Sequence, residues 1–187
     1  MRLFIAAELP SELTDALVET QAALRDAVHG RYVAPDSLHV TLAFLGELPS
    51  GRLEEAAAAL AQSCQGHGPL EATVGELGSF GRRRSATLWQ AVHSKGRLAS
   101  LAASLRKELA ASSLPFDEKP FRAHVTLMRS ADLSSGQLPM PTMGCGLIQT
   151  VTLFRSDLSG TRPRYEPLER LELGASDAGQ KHNLYTL

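Results

Sequence analysis

The tetrapeptide His-Val-Thr-Leu occurs twice, as His39-Val40-Thr41-Leu42 and as His124-Val125-Thr126-Leu127. In an extended strand successive side chains point to opposite faces. Each copy therefore buries Val and Leu on one face and presents an imidazole beside a hydroxyl on the other. Two such strands brought together supply two histidines and two threonines to one small cavity. Histidine titrates near neutrality, so one ring can accept a proton while the other donates one. Threonine hydroxyls donate hydrogen bonds to the oxygens of a bound anion. The set suits an in-line displacement at phosphorus. One His deprotonates the incoming water, the other protonates the departing oxygen, and no covalent intermediate is needed.

Two arginines accompany the second copy. Arg122 shares the parity of His124 and Thr126, so a regular strand aims it into the same cavity, where its guanidinium can pair with phosphate oxygens. A salt bridge at the strand start is the competing reading. Arg129 has the opposite parity and reaches the cavity only where the strand twists or breaks near Met128. By the same parity argument Phe44 opposes His39 and is expected in the core. Trp89 is also expected in the core. Tyr165 reads first as a structural strand residue, with lining the groove as the alternative. Arg82-Arg83-Arg84 is expected to be a solvated hairpin tip, with guiding an RNA backbone at the groove mouth as the alternative. A zinc site built on His39 and His124 would need a further ligand. No carboxylate stands at matching spacing in either strand, and the paired threonines would go unexplained. Neither metal nor cofactor is expected.

The elements that must position these residues follow from pattern. Leu3 to Leu9 reads as a buried strand. A helix opens at Pro10-Ser11, with Ser11 as its N-cap, and carries the stripe Leu13, Leu17, Leu24, Val28 before His29-Gly30 closes it. Leu38 to Leu45 is the first motif strand. An alanine-rich helix spans Arg52 to Gln65. Strands are expected at Leu70 to Leu77 and Ala86 to Val92, separated by a loop holding Gly78, Gly81 and the three arginines. A helix follows over Arg97 to Ala111. The second motif strand covers Phe121 to Met128, and Ser130 to Gly144 reads as loop. Strands over Gly146 to Phe154 and Tyr165 to Leu173 close the domain.

The motifs sit nearly half the chain apart, which suggests a duplicated α+β unit. Helices on the outer face of mainly antiparallel sheets would leave the other faces free to form a cleft. The 187 residues and formal charge of −1 fit one compact domain with no bulk attraction to nucleic acid, so an RNA would be gripped locally. Two isolated cysteines, Cys64 and Cys145, fit a reducing cytoplasmic setting. The opening is too short and too soon acidic for a signal peptide, and no apolar run approaches membrane-spanning length.

At these residues the sequence resembles the 2H phosphoesterase superfamily, and within it the RNA 2′,3′-cyclic phosphodiesterases, historically called 2′-5′ RNA ligases. The resemblance is carried by Arg2-Leu3-Phe4-Ile5-Ala6, by His39 through Gly46, and by Phe121 through Leu127. The closing segments Leu153-Phe154-Arg155-Ser156 and Tyr165-Glu166-Pro167-Leu168 also share it. It covers Met1 to about Leu173. It implies an α+β bilobal fold, two similar lobes facing each other across a central groove, as a single domain over residues 1–173. The polar composition of residues 174–187 separately suggests a flexible tail, to which the resemblance gives no meaning. The resemblance implies metal-independent hydrolysis of RNA 2′,3′-cyclic phosphate ends to 2′-phosphates. The expected substrates are RNA ends or small cyclic nucleotides, and the expected protein is a monomer away from membranes. The resemblance assigns His39 as proton donor and His124 as proton acceptor, with Thr41 and Thr126 holding phosphate, and it raises the standing of Arg129. Two readings stay open beside hydrolysis: 2′-5′ ligation at the same site, and a non-catalytic module that binds RNA ends.

Overall fold

Alternation of buried and half-buried residues along the motif strands places them at the centre of a single hydrogen-bonded sheet path. The computed structural model describes residues 1–134, 136–160 and 162–174. In chain order the elements are β1 (Arg2–Glu8), α1 (Ser11–Leu24), β2 (Arg31–Tyr32), β3 (His39–Glu47), α2 (Leu53–Cys64), β4 (Leu70–Arg82), β5 (Ser85–His93), α3 (Arg97–Ala111), β6 (His124–Ala131), β7 (Gly144–Ile148), β8 (Thr150–Asp157) and β9 (Arg164–Glu172). The strand order is β7-β4-β5-β6-β3-β1-β8-β9, with β2 pairing β6 off that path. All the pairings are antiparallel.

Where two facing sheets are expected, the strands instead form one nine-stranded sheet, and its path has two halves. They meet at one pair of residues, Val40 opposite Val125. Each half contains a strand–helix–strand unit, β1–α1–β3 and β5–α3–β6, and each connecting helix crosses to the other half. α1 packs on β4 and β7, while α3 packs on β3 and against α2, which reaches β8 and β9. The exchange ties the halves together without a wide hydrogen-bonded seam.

The helices bury the apolar face of the sheet. Leu13 and Leu17 of α1, Leu60 of α2 and Leu101 and Leu105 of α3 are fully buried with Ile5, Val40, Val125 and Leu153 in one cluster. Each such side chain contributes about 1.5–3 kcal/mol on burial. Small residues let α1 lie close to β7. A Cβ at Gly144 would stand 2.7 Å from the Ala16 methyl, and one at Gly146 would stand 2.7 Å from Pro10 Cγ.

Several boundaries differ from expectation. Pro10, not Ser11, caps α1, and Ser11 spends its hydroxyl on Glu12. α1 ends at Leu24, and Val28 is buried in the turn beyond it. β4 continues through the expected loop to Arg82, so β4 and β5 form a tight hairpin. Glycine there is not a breaker. The indole of Trp89 lies over Gly78, where a Cβ would stand 2.2 Å from its ring. The expected strand from Gly146 to Phe154 is two strands split at Gln149, β7 at one end of the sheet and β8 in the other half. The tail expected to be flexible lies, from residue 175 onward, outside the described residues. Among the described residues no helix is long and apolar enough to cross a membrane. Cys64 is buried and Cys145 exposed, both unpaired.

Candidate active site

The Val40–Val125 register places His39 and Thr41 of β3 beside Thr126 and His124 of β6 on the face opposite the helices. These four side chains line one pocket together with Val33, Ser37, Arg129 and Tyr165. The two motifs, distant in the chain, therefore share one cavity.

Both histidines are held in the same way. His39 Nδ1–H donates to the carbonyl of Ser37 at 2.8 Å, and His124 Nδ1–H donates to the carbonyl of Arg122 at 2.6 Å. Each bond runs to the residue two positions earlier. A carbonyl can only accept, so each neutral ring carries its hydrogen on Nδ1 and offers the Nε2 lone pair. The Thr41 hydroxyl donates to His39 Nε2 at 3.0 Å.

Both rings are also packed by aromatic groups. His39 lies 5.0 Å from the Phe4 ring and 5.4 Å, edge-on, from Tyr165. His124 lies 5.7 Å from Trp89 and 5.2 Å, edge-on, from Phe80. Burial disfavours the imidazolium, and it lowers His39 to about 4, opposed by the Ser37 carbonyl and aided by the charges of Arg129 and His124. His124 is lowered as well, again by burial first, with the Arg122 carbonyl opposing and the Arg122 and Arg129 charges aiding. Burial thus holds both imidazoles toward the neutral form, beside the guanidinium of Arg129.

Arg129 reaches the pocket because β6 is bulged. Opposite β5, Trp89 pairs with Thr126 and the next residue back, Leu88, pairs with Met128, so β6 carries an extra residue. Leu127 and Met128 are both fully buried, and Arg129 emerges on the face of His124 and Thr126. The bulge is braced from α1. The Leu127 carbonyl accepts from the Val33 N–H at 2.9 Å and from Gln21 Nε2 at 2.9 Å. Gln21 Nε2 also donates to the Val33 carbonyl at 2.9 Å.

β3 carries the same bulge at the same place. Ala6 pairs with Thr41, Ile5 pairs with Ala43, and Leu42 and Ala43 are both buried. Phe44 therefore turns to the site's face of the sheet, half-buried, with the Arg2 guanidinium 4.6 Å over its ring. The expectation of a core Phe44 fails for that reason. Phe44 stands in β3 where Arg129 stands in β6.

Arg122 is not among the pocket's lining residues. β6 begins at His124, so strand parity does not extend back to it. Its guanidinium lies instead over the rings of Trp89 and Phe80, at 5.6 Å and 5.9 Å. Trp89 is buried, as expected, but on the site's face of the sheet. Val33, Ser37 and Tyr165 line the pocket without a signal in the motifs. Ser37 was recoverable only as the residue two before His39. Arg82, Arg83 and Arg84 form an exposed hairpin tip, as expected, with Arg83 also bonded to the Leu133 carbonyl at 3.1 Å. Among the described residues no three His, Cys, Asp or Glu side chains group as metal ligands would.

The family described as the 2′-5′ RNA ligase superfamily matches residues 10–138. The RNA 2′,3′-cyclic phosphodiesterase of Escherichia coli is 35% identical over 174 residues, covering 92% of this chain and 96% of that protein. The RNA 2′,3′-cyclic phosphodiesterase of Thermus thermophilus is 33% identical over 180 residues, covering 92% and 90%. The crystal structure of Escherichia coli LigT complexed with 3′-AMP superposes with a TM-score of 0.79 at 32% identity, covering 93% of this chain and 98% of that one.

Proposed function

The chain belongs to the 2′-5′ RNA ligase superfamily, the 2H phosphoesterases, and from that premise we propose that it is an RNA 2′,3′-cyclic phosphodiesterase working by paired-histidine general acid–base catalysis. The observation that carries this reading is the shared pocket, where each His turns Nδ1 to a backbone carbonyl and leaves Nε2 to exchange protons. Residues 1–173 act as one domain, on RNA ends or small cyclic nucleotides, as a monomer.

His124 Nε2 takes the proton of the attacking water. His39 Nε2 delivers a proton to O3′ as the P–O3′ bond breaks, leaving a 2′-phosphate. A donor must start protonated, and burial by itself holds His39 neutral. The substrate supplies what is missing. An anionic phosphodiester beside the ring favours the imidazolium and raises its pKa. Thr41 and Thr126 donate to the equatorial oxygens. Arg129 balances the charge that develops there.

The test is an RNA oligonucleotide ending in 2′,3′-cyclic phosphate, incubated with the protein after exhaustive chelation. The expected product is a 2′-phosphate that resists a 3′-specific phosphatase. An unchanged cyclic end, or turnover that disappears on chelation, overturns the reading. Tight binding without turnover would instead support a module that holds RNA ends.

A further inference from the structure

Phe80 is unused by the reaction above and is placed beside it. It lies on β4, 40% exposed, with its ring 5.2 Å from Trp89 and 5.2 Å from His124. The Arg122 guanidinium lies over both aromatic rings, 5.6 Å from the centre of Trp89 and 5.9 Å from that of Phe80, and among the described residues it has no carboxylate partner. Gly78 lets the indole lie against β4, because a Cβ there would collide with it. The outcome is a shelf of two aromatic rings and a guanidinium, continuous with His124. The same hairpin ends in the exposed Arg82 and Arg84.

We propose that this shelf is a second nucleoside subsite, for the nucleotide whose 5′-hydroxyl takes the place of water. The proposal rests on the reaction above and on His124 as its proton acceptor. The nucleophile must lie beside the acceptor. When it is a ribose 5′-hydroxyl, its sugar and base must lie on the same side of the pocket, which is the side of Phe80 and not of Phe4. An exposed aromatic ring stacks on any base, and guanidinium groups meet the phosphates that follow along the strand. In the joining direction the O5′–P bond forms as the P–O3′ bond breaks. The O5′ proton passes to His124 Nε2, and O3′ receives one from His39 Nε2. The product is a 2′-5′ linkage, and its cleavage is the reverse.

The test compares Phe80→Leu and Phe80→Tyr on two substrates. One is a nucleoside 2′,3′-cyclic monophosphate, which brings no second nucleoside. The other is a 2′-5′ linked dinucleotide. Beyond any change on the cyclic mononucleotide, Phe80→Leu should lower kcat/KM for the dinucleotide by a further factor of about 5–150, mostly through KM, as loss of one base stack does. Phe80→Tyr should restore it. Equal losses on both substrates would mean that Phe80 acts only by packing His124, and would overturn the subsite. Wild-type protein that turns over the cyclic mononucleotide but not the dinucleotide would overturn it too. Failure on the cyclic mononucleotide itself would overturn the reaction instead.

Discussion

The two halves of the site share a backbone and differ in what they do with it. Both motif strands put His and Thr on one face, tie the imidazole to the carbonyl two residues back, and bulge directly after the threonine. Past the bulge one strand presents Phe44 and the other Arg129. The β3 side is apolar and closed, with His39 enclosed by Phe4 and Tyr165 and bonded to Thr41. The β6 side is charged and open, with His124 against the exposed Phe80, over whose ring the guanidinium of Arg122 lies. A symmetric scaffold thus produces two imidazoles with different environments. That difference is what a donor and an acceptor need, because each role asks for a different protonation state at the start.

The comparison is broken most severely by removing either ring. His39→Ala and His124→Ala should each lower the hydrolysis rate by about 10²–10⁴-fold, with the far-ultraviolet dichroism unchanged. Full activity in both would reject proton transfer by these groups.

Truncation past the bulge should separate the halves. Arg129→Ala removes the pocket's guanidinium and should cost about 10²–10³-fold in kcat, the range for losing one transition-state charge partner. Phe44→Ala should cost about 10-fold, felt mainly in KM for substrates with a base. Reversed magnitudes would mean that the two bulges serve other purposes.

Gln21 tests the brace beneath Arg129. Gln21→Leu removes the donor to the Val33 carbonyl and one of the two donors to the bulged Leu127 carbonyl. It should destabilise the protein by about 1–3 kcal/mol in urea unfolding, and lower kcat more than an equally destabilising core variant far from the site.

The mildest perturbation is a titration. Folded His39 resists protonation down to about 4 while the unfolded ring titrates near 6.5. Its contribution to stability is therefore full above pH ~6.5 and falls away as the pH drops toward 4, where the folded ring also charges. Inorganic phosphate should raise the His39 value, so that binding takes up a proton below neutrality. His39 titration by NMR, with and without phosphate, reads both. A value that phosphate leaves unmoved would remove the proposed charging step.

Much of this was legible because alternation is a local property. His39, Thr41, His124 and Thr126 each share a face with their partner two residues away, whatever the rest of the chain does. α3 occupies the expected Arg97 to Ala111, because its leucine stripe and the preceding Gly96 are local signals too. Glycine misled where its reason was distant. Gly78 answers to Trp89 on the next strand, and nothing in its neighbours along the chain announces that.

The residues on which parity failed, Arg122, Arg129 and Phe44, share one cause. A strand's start and its bulges are set by the partner strand's hydrogen bonds. The extra residue of β6 is defined only opposite Leu88 and Trp89, and that of β3 only opposite Ile5 and Ala6. The imidazole–hydroxyl pairs were thus written in the residue order, since a two-residue repeat needs no partner. Which charge and which ring join them waited on the folded sheet, because one unpaired residue in a ladder turns every later side chain to the other face.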